Sequence, residues 1–234
     1  MKFPIKVAKP LIFLLCLLPF AALVWAIYYN IRYDPSSLGA DPLSVITDRT
    51  GDWTLRFVLI TLAITPLRLL FGWNGAIRFR RMVGLFAFFY GVLHFLSYVW
   101  FTVVFDIHLI LEDVVKRKFI TVGFTAFVLM IPLAITSTKK WISRMGGKRW
   151  QALHRLVYAT GILGVVHYFW RVKSDIEKPL IYAALLALLL GIRLNIIVIL
   201  NFPLSPSGSW SLIVVISLRR FPVILPRRYP SRLG

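Results

Sequence analysis

The four histidines of this chain are the residues whose type and placement most directly suggest chemistry. His94, His154 and His167 lie inside or close to long apolar segments, and His108 follows the end of one, beside Asp106. Polar groups at membrane depth are costly and tend to be functional. Because the apolar segments contain few other ionisable side chains, we favour a ligand role for these three over structural hydrogen bonds. A non-redox channel or transporter with structural histidines is the alternative.

Axial ligation of haem iron is the chemistry that these imidazoles fit best. Two neutral imidazoles on facing helices give a six-coordinate iron centre suited to electron transfer, and cofactor sites between the helices of a bundle are common. With a rise of ~1.5 Å per residue, His94 lies ~18 Å and His167 ~25 Å from the starts of their segments, whereas His154 lies ~6 Å in. Side chains at such different depths do not converge on one zinc or copper ion.

The depths group His94 more closely with His167 than with His154, although a shift in the segment boundaries reverses that order. The layout can hold one haem in the middle or outer half of the membrane, and a second toward the cytoplasm. His154 and His167 are spaced so that an ideal helix places them on different faces. Gly161 and Gly164, which lie between them, could permit bending or close helix approach. The sequence leaves open whether both histidines face one partner helix.

Transmembrane helices are the elements that must position these residues. The chain is 59% hydrophobic and 16% charged, against about 45–50% and about 25% in soluble domains. Its apolar residues fall into blocks of about 20 residues, the length that crosses a bilayer as a helix. We therefore predict an all-α membrane protein, a six-transmembrane-helix bundle. The predicted spans are residues 11–29, 54–71, 82–105, 118–137, 150–170 and 178–200.

Charge differs systematically between the loops that join these spans. The first, third and fifth loops mix acidic and basic residues, whereas the second and fourth are basic with no acid. By the positive-inside rule, the even loops and both termini are cytoplasmic, which predicts a multi-pass protein of a bacterial inner membrane. The rule also accounts for the net charge of +19, so we expect contacts with membrane lipids and no nucleic-acid partner.

Two domains follow from this pattern: a six-helix transmembrane domain over residues 1–200 and a Pro/Arg-rich cytoplasmic tail over 201–234. The single cysteine, Cys16, excludes an internal disulfide and a Cys-ligated zinc or iron–sulfur site within the chain. We expect Cys16 to fill space toward lipid or a neighbouring helix. His108 is either a ligand of a second haem or a solvated loop residue, and we favour the loop.

Several motifs, taken in order along the chain, together resemble one family of membrane proteins. The most specific stretch runs from Trp150 to Tyr158, reads WQALHRLVY and is followed by His167-Tyr168 and Trp170. The other motifs are Leu38-Gly39-Ala40-Asp41-Pro42, Ile64-Thr65-Pro66-Leu67-Arg68, Arg80-Arg81-Met82-Val83-Gly84-Leu85 followed by His94 and Tyr98, and Thr136-Ser137-Thr138. From about residue 10 to about residue 200, the chain resembles the haem-binding membrane subunit of periplasmic methionine sulfoxide reductase systems, in the ferric reductase-like transmembrane group.

The resemblance implies an electron-transfer subunit of an oxidoreductase system, with haem b and FMN as cofactors and His94, His154 and His167 as haem ligands. It implies a cytoplasmic flavin reductase or the quinone pool as electron donor. The acceptor would be a periplasmic molybdopterin-containing enzyme that reduces methionine sulfoxide in oxidised envelope proteins, so the chemistry on sulfur belongs to the partner. A stand-alone ferric or quinone reductase-like haem protein is the alternative.

No motif assigns residues to FMN. The cytoplasmic Arg80, Arg81, Lys148 and Arg149 could meet a flavin phosphate or haem propionates, because arginine pairs well with both groups. Orientation of the chain by positive charge explains the same residues without any ligand.

Overall fold

The computed structural model describes residues 5–101, 105–172 and 174–201, and these residues form helices joined by turns and short loops. The all-α prediction is confirmed for this part of the chain. Its helices are α1 (Ile5–Arg32), α2 (Pro42–Phe71), a 3-10 helix (Ala76–Arg78), α3 (Arg80–Phe101), α4 (Ile107–Lys116), α5 (Lys118–Ile135), α6 (Lys139–Met145), α7 (Gly147–His154), α8 (Leu156–Arg171) and α9 (Glu177–Asn201).

Four of the described helices are long and apolar enough to cross a membrane: α1 from Val7 onward, α2, α3 and α5. They correspond to the first four predicted spans. The fifth and sixth predicted spans are helical, with 16 residues in α8 and 25 in α9, but the count of six remains a prediction. The predicted tail lies outside the described residues except for Asn201, which ends α9.

The start of α2 corrects the predicted first loop, which was placed over residues 30–53. The Asp41 side chain accepts a hydrogen bond from the Ser44 backbone N–H at 3.1 Å, and Pro42 occupies the first helical position. Both features start a helix, because an N-cap acceptor satisfies a free N–H and proline needs no donor there. Asp48 and Asp52, expected in the loop, therefore lie on α2.

The predicted fifth span, residues 150–170, is divided into two helices. α7 ends at His154, Arg155 forms a turn, and α8 starts at Leu156. The division separates His154 from His167, so the two side chains need not follow the geometry of one ideal helix. Gly161 lies against Leu186 and Leu62, which supports the close-approach reading of this glycine rather than a bend.

The core lies where α2 packs along α3 and where α5 packs along α8. Leu62 and Tyr90 are its most buried large side chains, each 1% exposed. The Tyr90 hydroxyl donates to the Cys16 carbonyl at 2.9 Å and accepts from the Phe20 N–H at 3.0 Å, which ties α3 to α1. Cys16 is buried, so of the two expectations the helix-facing one is confirmed.

Candidate functional site

The structure brings His94 of α3 and His167 of α8 together. Their ring centres are 6.1 Å apart, and the ring planes are inclined at 77°. Both residues are half-buried. Of the two orders of depth that the sequence left open, the structure has the one that groups His94 with His167.

One nitrogen of each ring is held by a backbone carbonyl. His94 Nδ1 lies 2.9 Å from the Thr47 carbonyl oxygen, and His167 Nδ1 lies 2.7 Å from that of Phe119. Since a carbonyl only accepts, Nδ1 carries the proton and donates in each case. Nε2 then keeps its lone pair, and the ring orientation is fixed, which is how proteins present an imidazole to a metal.

Two glycines leave the space that the imidazoles occupy. A β-carbon at Gly51 of α2 would lie 3.0 Å from His94 Nδ1, and one at Gly123 of α5 would lie 2.5 Å from His167 Nδ1. A residue with a β-carbon fits at Gly123 only if the His167 ring moves. Each histidine is therefore seated against a glycine on the helix that also supplies its carbonyl acceptor.

A cavity of about 610 Å³ opens beside the two imidazoles, within the range of about 300–1,000 Å³ typical of cofactor sites. We call it the paired-histidine cavity. Residues of α2, α3, α5 and α8 line it, and most of them are apolar, including Leu55, Phe95 and Phe127. A largely apolar cleft with two convergent imidazoles suits a flat, mostly apolar macrocycle with a metal at its centre.

The spacing of the rings tests whether haem fits. The ring centres of His94 and His167 are 6.1 Å apart, which leaves room for a single metal atom with a bond of about 2 Å to a nitrogen of each ring. These two residues would hold the iron if haem binds in the cavity. Among the described residues, no group of three or more His, Cys, Asp or Glu side chains could hold a bare metal ion. The residues present therefore fit haem iron better than an isolated ion.

His154 lies in a second cavity of about 490 Å³, the single-histidine cavity. Its ring stacks on Trp150 with centres 3.9 Å apart, and its Nδ1 lies 3.1 Å from the Trp150 carbonyl oxygen. Trp150 is itself fixed by donating from Nε1 to the Thr136 carbonyl at 2.9 Å. His154 Nε2 is buried and has no hydrogen-bond partner in the described part of the chain. A buried imidazole nitrogen with a free lone pair is available to a metal.

The single-histidine cavity is strongly basic. Five arginines line it and none of its described lining residues is acidic; they are Arg68, Arg80, Arg81, Arg155 and Arg193. Arg80 and Arg81 were proposed from sequence as contacts for a phosphate or for propionates, and they lie here. Lys148 and Arg149, proposed with them, are exposed and line neither cavity.

The two cavities adjoin each other. Val58, Met130 and Thr160 line both of them, so one layer of side chains separates the space beside His94 and His167 from the space beside His154. The three sequence-predicted histidines therefore line two adjoining cavities of cofactor size, which together we call the column of cavities.

His108 lies away from this column. It is exposed on α4, where its backbone N–H donates to the Asp106 side chain at 2.8 Å. It lines neither cavity. The favoured interpretation as a solvated residue is supported, although the residue belongs to a short helix rather than to a loop.

Sequence reasoning missed Arg193 and the two seating glycines. Arg193 of α9 donates to the Tyr158 hydroxyl and, at 3.1 Å, to the Leu62 carbonyl. No local signal marks it, because the sequence around it is an apolar span. Gly51 and Gly123 likewise carry no motif, since their partners are distant in the chain.

Comparisons with known proteins identify the family. The family described as "Ferric reductase like transmembrane component" matches residues 50–165. A protein of Herminiimonas arsenicoxydans is 54% identical over 79% of this chain and 83% of its own length. Its name is "Protein-methionine-sulfoxide reductase heme-binding subunit MsrQ". The chain belongs to the MsrQ family.

Other MsrQ relatives show similar coverage. Proteins of the same name from Rhodospirillum rubrum and Polaromonas naphthalenivorans are 51% and 53% identical to this chain. The first match covers 81% of this chain and 88% of the relative, and the second covers 80% and 83%. No solved structure matches the chain. The expected resemblance to the membrane subunits of methionine sulfoxide reductase systems is thus confirmed at the level of the MsrQ family.

Proposed function

We propose that this chain carries electrons across the bacterial inner membrane by way of b-type haem and delivers them to a periplasmic, molybdopterin-containing methionine sulfoxide reductase. The observation that carries the proposal is the pair His94 and His167, with ring centres 6.1 Å apart and both Nδ1 atoms engaged by backbone carbonyls. Its MsrQ relatives are named as haem-binding subunits of a protein-methionine-sulfoxide reductase, which supports haem and this partner.

The proposed topology has six spans within residues 1–200, with both termini and the tail over 201–234 in the cytoplasm. Four described helices that are long and apolar enough to cross a membrane support the first four spans, and α7 with α8, followed by α9, are the segments proposed for the fifth and sixth. Because basic loops are expected in the cytoplasm, the start of α3, which contains Arg80 and Arg81, lies on the cytoplasmic side of the membrane in this topology. The single-histidine cavity then faces the cytoplasm, and the paired-histidine cavity faces the periplasm.

Each group of residues has a distinct role in this proposal. Haem, when bound, supplies a one-electron carrier whose potential depends on its axial ligands and surroundings. His94 and His167 would hold one iron and His154 would hold a second, while backbone carbonyls fix the orientation of their rings. The arginines of the single-histidine cavity neutralise anionic groups there, either haem propionates or the phosphate of FMN.

The proposed direction of transfer follows from the proposed topology and from the donor and acceptor that the family resemblance implies. Electrons from a cytoplasmic flavin reductase or from the quinone pool enter on the side of His154 and leave on the side of His94 and His167. The chain itself needs no sulfoxide chemistry, because repair of oxidised methionine requires only an electron source on the partner's side of the membrane.

Haem content of the purified full-length chain tests the proposal. Protein made with ample haem should carry two b-type haems per chain and show a dithionite-reduced-minus-oxidised spectrum of low-spin haem. The measurement is the haem-to-protein ratio together with that spectrum. A colourless, stably folded protein would contradict the electron-carrier function and favour a channel or transporter.

Alanine at His154 should remove one of the two haems and leave the low-spin spectrum of the other intact. The reason is that His154 is the only histidine lining its cavity among the described residues, so no other imidazole replaces it. Haem content and the reduced spectrum measure the change, and His108→Ala is the matched control. Unchanged haem content in His154→Ala would show that the single-histidine cavity does not bind haem through this residue.

A stand-alone ferric or quinone reductase is the second candidate, favoured by the match to the ferric reductase family model. Vesicles containing the haem-loaded chain separate the two functions. Under the proposal, electrons supplied on the cytoplasmic face reduce the purified partner enzyme on the other face. Reduction of Fe³⁺ or quinone, with no reduction of the partner, would favour the alternative.

A further inference from the structure

An ion pair between Asp48 and Arg171 spans the paired-histidine cavity on the side away from the single-histidine cavity. Asp48 belongs to α2 and Arg171 ends α8, and both side chains line the cavity. Asp48 directly follows Thr47, whose carbonyl holds His94. Arg171 lies one helical turn after His167, so it projects on the same side of α8. The pair therefore joins the two backbone segments that position the axial imidazoles.

The other charged residues of this cavity form ion pairs or caps within their own part of the chain, although Asp52 of α2 also faces Tyr168 of α8. Asp52 lies 3.8 Å from Arg56 on its own helix, and Arg117 lies 3.1 Å from Asp113 one turn earlier. Asp41, which also lines the cavity, caps the start of α2. Among the described charged residues that line the cavity, Asp48 and Arg171 form the ion pair that joins two different long helices.

An ion pair next to a one-electron centre has a specific electrostatic effect. Oxidised haem carries one more positive charge than reduced haem, so a nearby carboxylate favours the oxidised form and a nearby guanidinium favours the reduced form. Two opposite charges held together largely cancel at a distance. Loss of one partner exposes the full charge of the other, although both side chains are partly exposed and solvent screens them in part.

We propose that Asp48 and Arg171 are positioning residues that clamp α2 to α8 beside His94 and His167 and, by cancelling each other's charge, keep either charge from shifting the reduction potential of the haem that these histidines would hold. The inference rests on the proposed function. It adds a role in redox tuning for two lining residues that are not proposed as haem ligands.

Three variants test the clamp: Asp48→Asn, Arg171→Gln and the double variant. Asp48→Asn should raise the midpoint potential, because the Arg171 charge is uncompensated, and Arg171→Gln should lower it. A unit charge about 10 Å from the iron, at an effective dielectric constant of about 20, changes the oxidised-to-reduced ratio about tenfold, which is about 59 mV for one electron. The double variant should return close to the wild-type potential. Redox titration of the full-length, haem-loaded protein measures all three.

The exposed pair Glu112 and Lys116 on α4 supplies the matched control, because it lines neither cavity. Glu112→Gln and Lys116→Gln should leave the potential unchanged. Midpoint potentials that change in the same direction in Asp48→Asn and Arg171→Gln, or that change in neither variant, would overturn the inference. Loss of haem from Arg171→Gln and from the double variant, but not from Asp48→Asn, would do so as well, since Arg171 would then bind the cofactor directly. Absence of haem from the wild-type protein would instead defeat the proposed function.

Discussion

Alanine at His94 should remove one haem per chain, alanine at His167 should remove the same haem, and the double variant should lose no more than either single variant. The two imidazoles act as one unit, because a six-coordinate iron that loses one axial ligand loses its low-spin state and much of its affinity. Residues that act as a unit give strongly non-additive effects. The ring spacing of 6.1 Å is the basis for expecting one shared iron rather than two.

Haem-to-protein ratios and reduced-minus-oxidised spectra of the three variants measure this effect. His108→Ala is the control, because His108 is an exposed histidine of the same chain outside both cavities. We expect about half of the wild-type haem in each of the three variants and a full complement in the control. A double variant that loses twice as much haem as either single variant would show that His94 and His167 serve different irons.

Helix rise alone grouped His94 with His167, but it left the pairing open, because a shift of a few residues in the span boundaries reverses the order of depths. The position of His154 could not be predicted. It depends on the division of the fifth span at Arg155, where neither proline nor glycine marks a break. Stacking of His154 on Trp150, and the bond from Trp150 to the Thr136 carbonyl, are tertiary contacts that accompany the break.

The early start of α2 was missed for a related reason. Asp48 and Asp52 lower the local hydropathy, so a hydropathy pattern places the span after them. The capping residue Asp41 and the following Pro42 were visible in the sequence as a motif and mark the true start of the helix. Capping chemistry was therefore a better guide to this boundary than the apolar pattern, and it places Asp48 beside the paired-histidine cavity.

The seating glycines show the limit of sequence reasoning most clearly. Gly51 and Gly123 lie in apolar helices, where glycine also occurs for simple close packing. Their relation to His94 and His167 exists only once α2 meets α3 and α5 meets α8. A single sequence contains the glycine and the histidine but not their contact.

Gly123→Ala should remove most of the haem held by His167, and Gly51→Ala should have the same effect but a smaller one. A β-carbon at Gly123 would lie 2.5 Å from His167 Nδ1, which is too close for any real contact, whereas one at Gly51 would lie 3.0 Å from His94 Nδ1. Axial ligands need placement within about 0.5 Å, so displacement of His167 breaks its bond to iron. Haem content measures how much haem each variant loses. Equal haem content in both variants and in the wild type would contradict the proposal that these glycines make room for the histidine ligands.

Thermal unfolding of the haem-free protein tests the same contact without the cofactor. Alanine normally stabilises a helix interior by about 1 kcal/mol relative to glycine. Gly191→Ala, in α9 with open space around the new methyl group, should therefore stabilise the protein or leave it unchanged. Gly123→Ala should destabilise it because the methyl group meets the imidazole. When His167 is already alanine, Gly123→Ala should stabilise the protein, because the imidazole ring that the new methyl group would contact is absent. A destabilisation that persists without the His167 ring would mean that Gly123 serves helix packing and not the seating of a haem ligand.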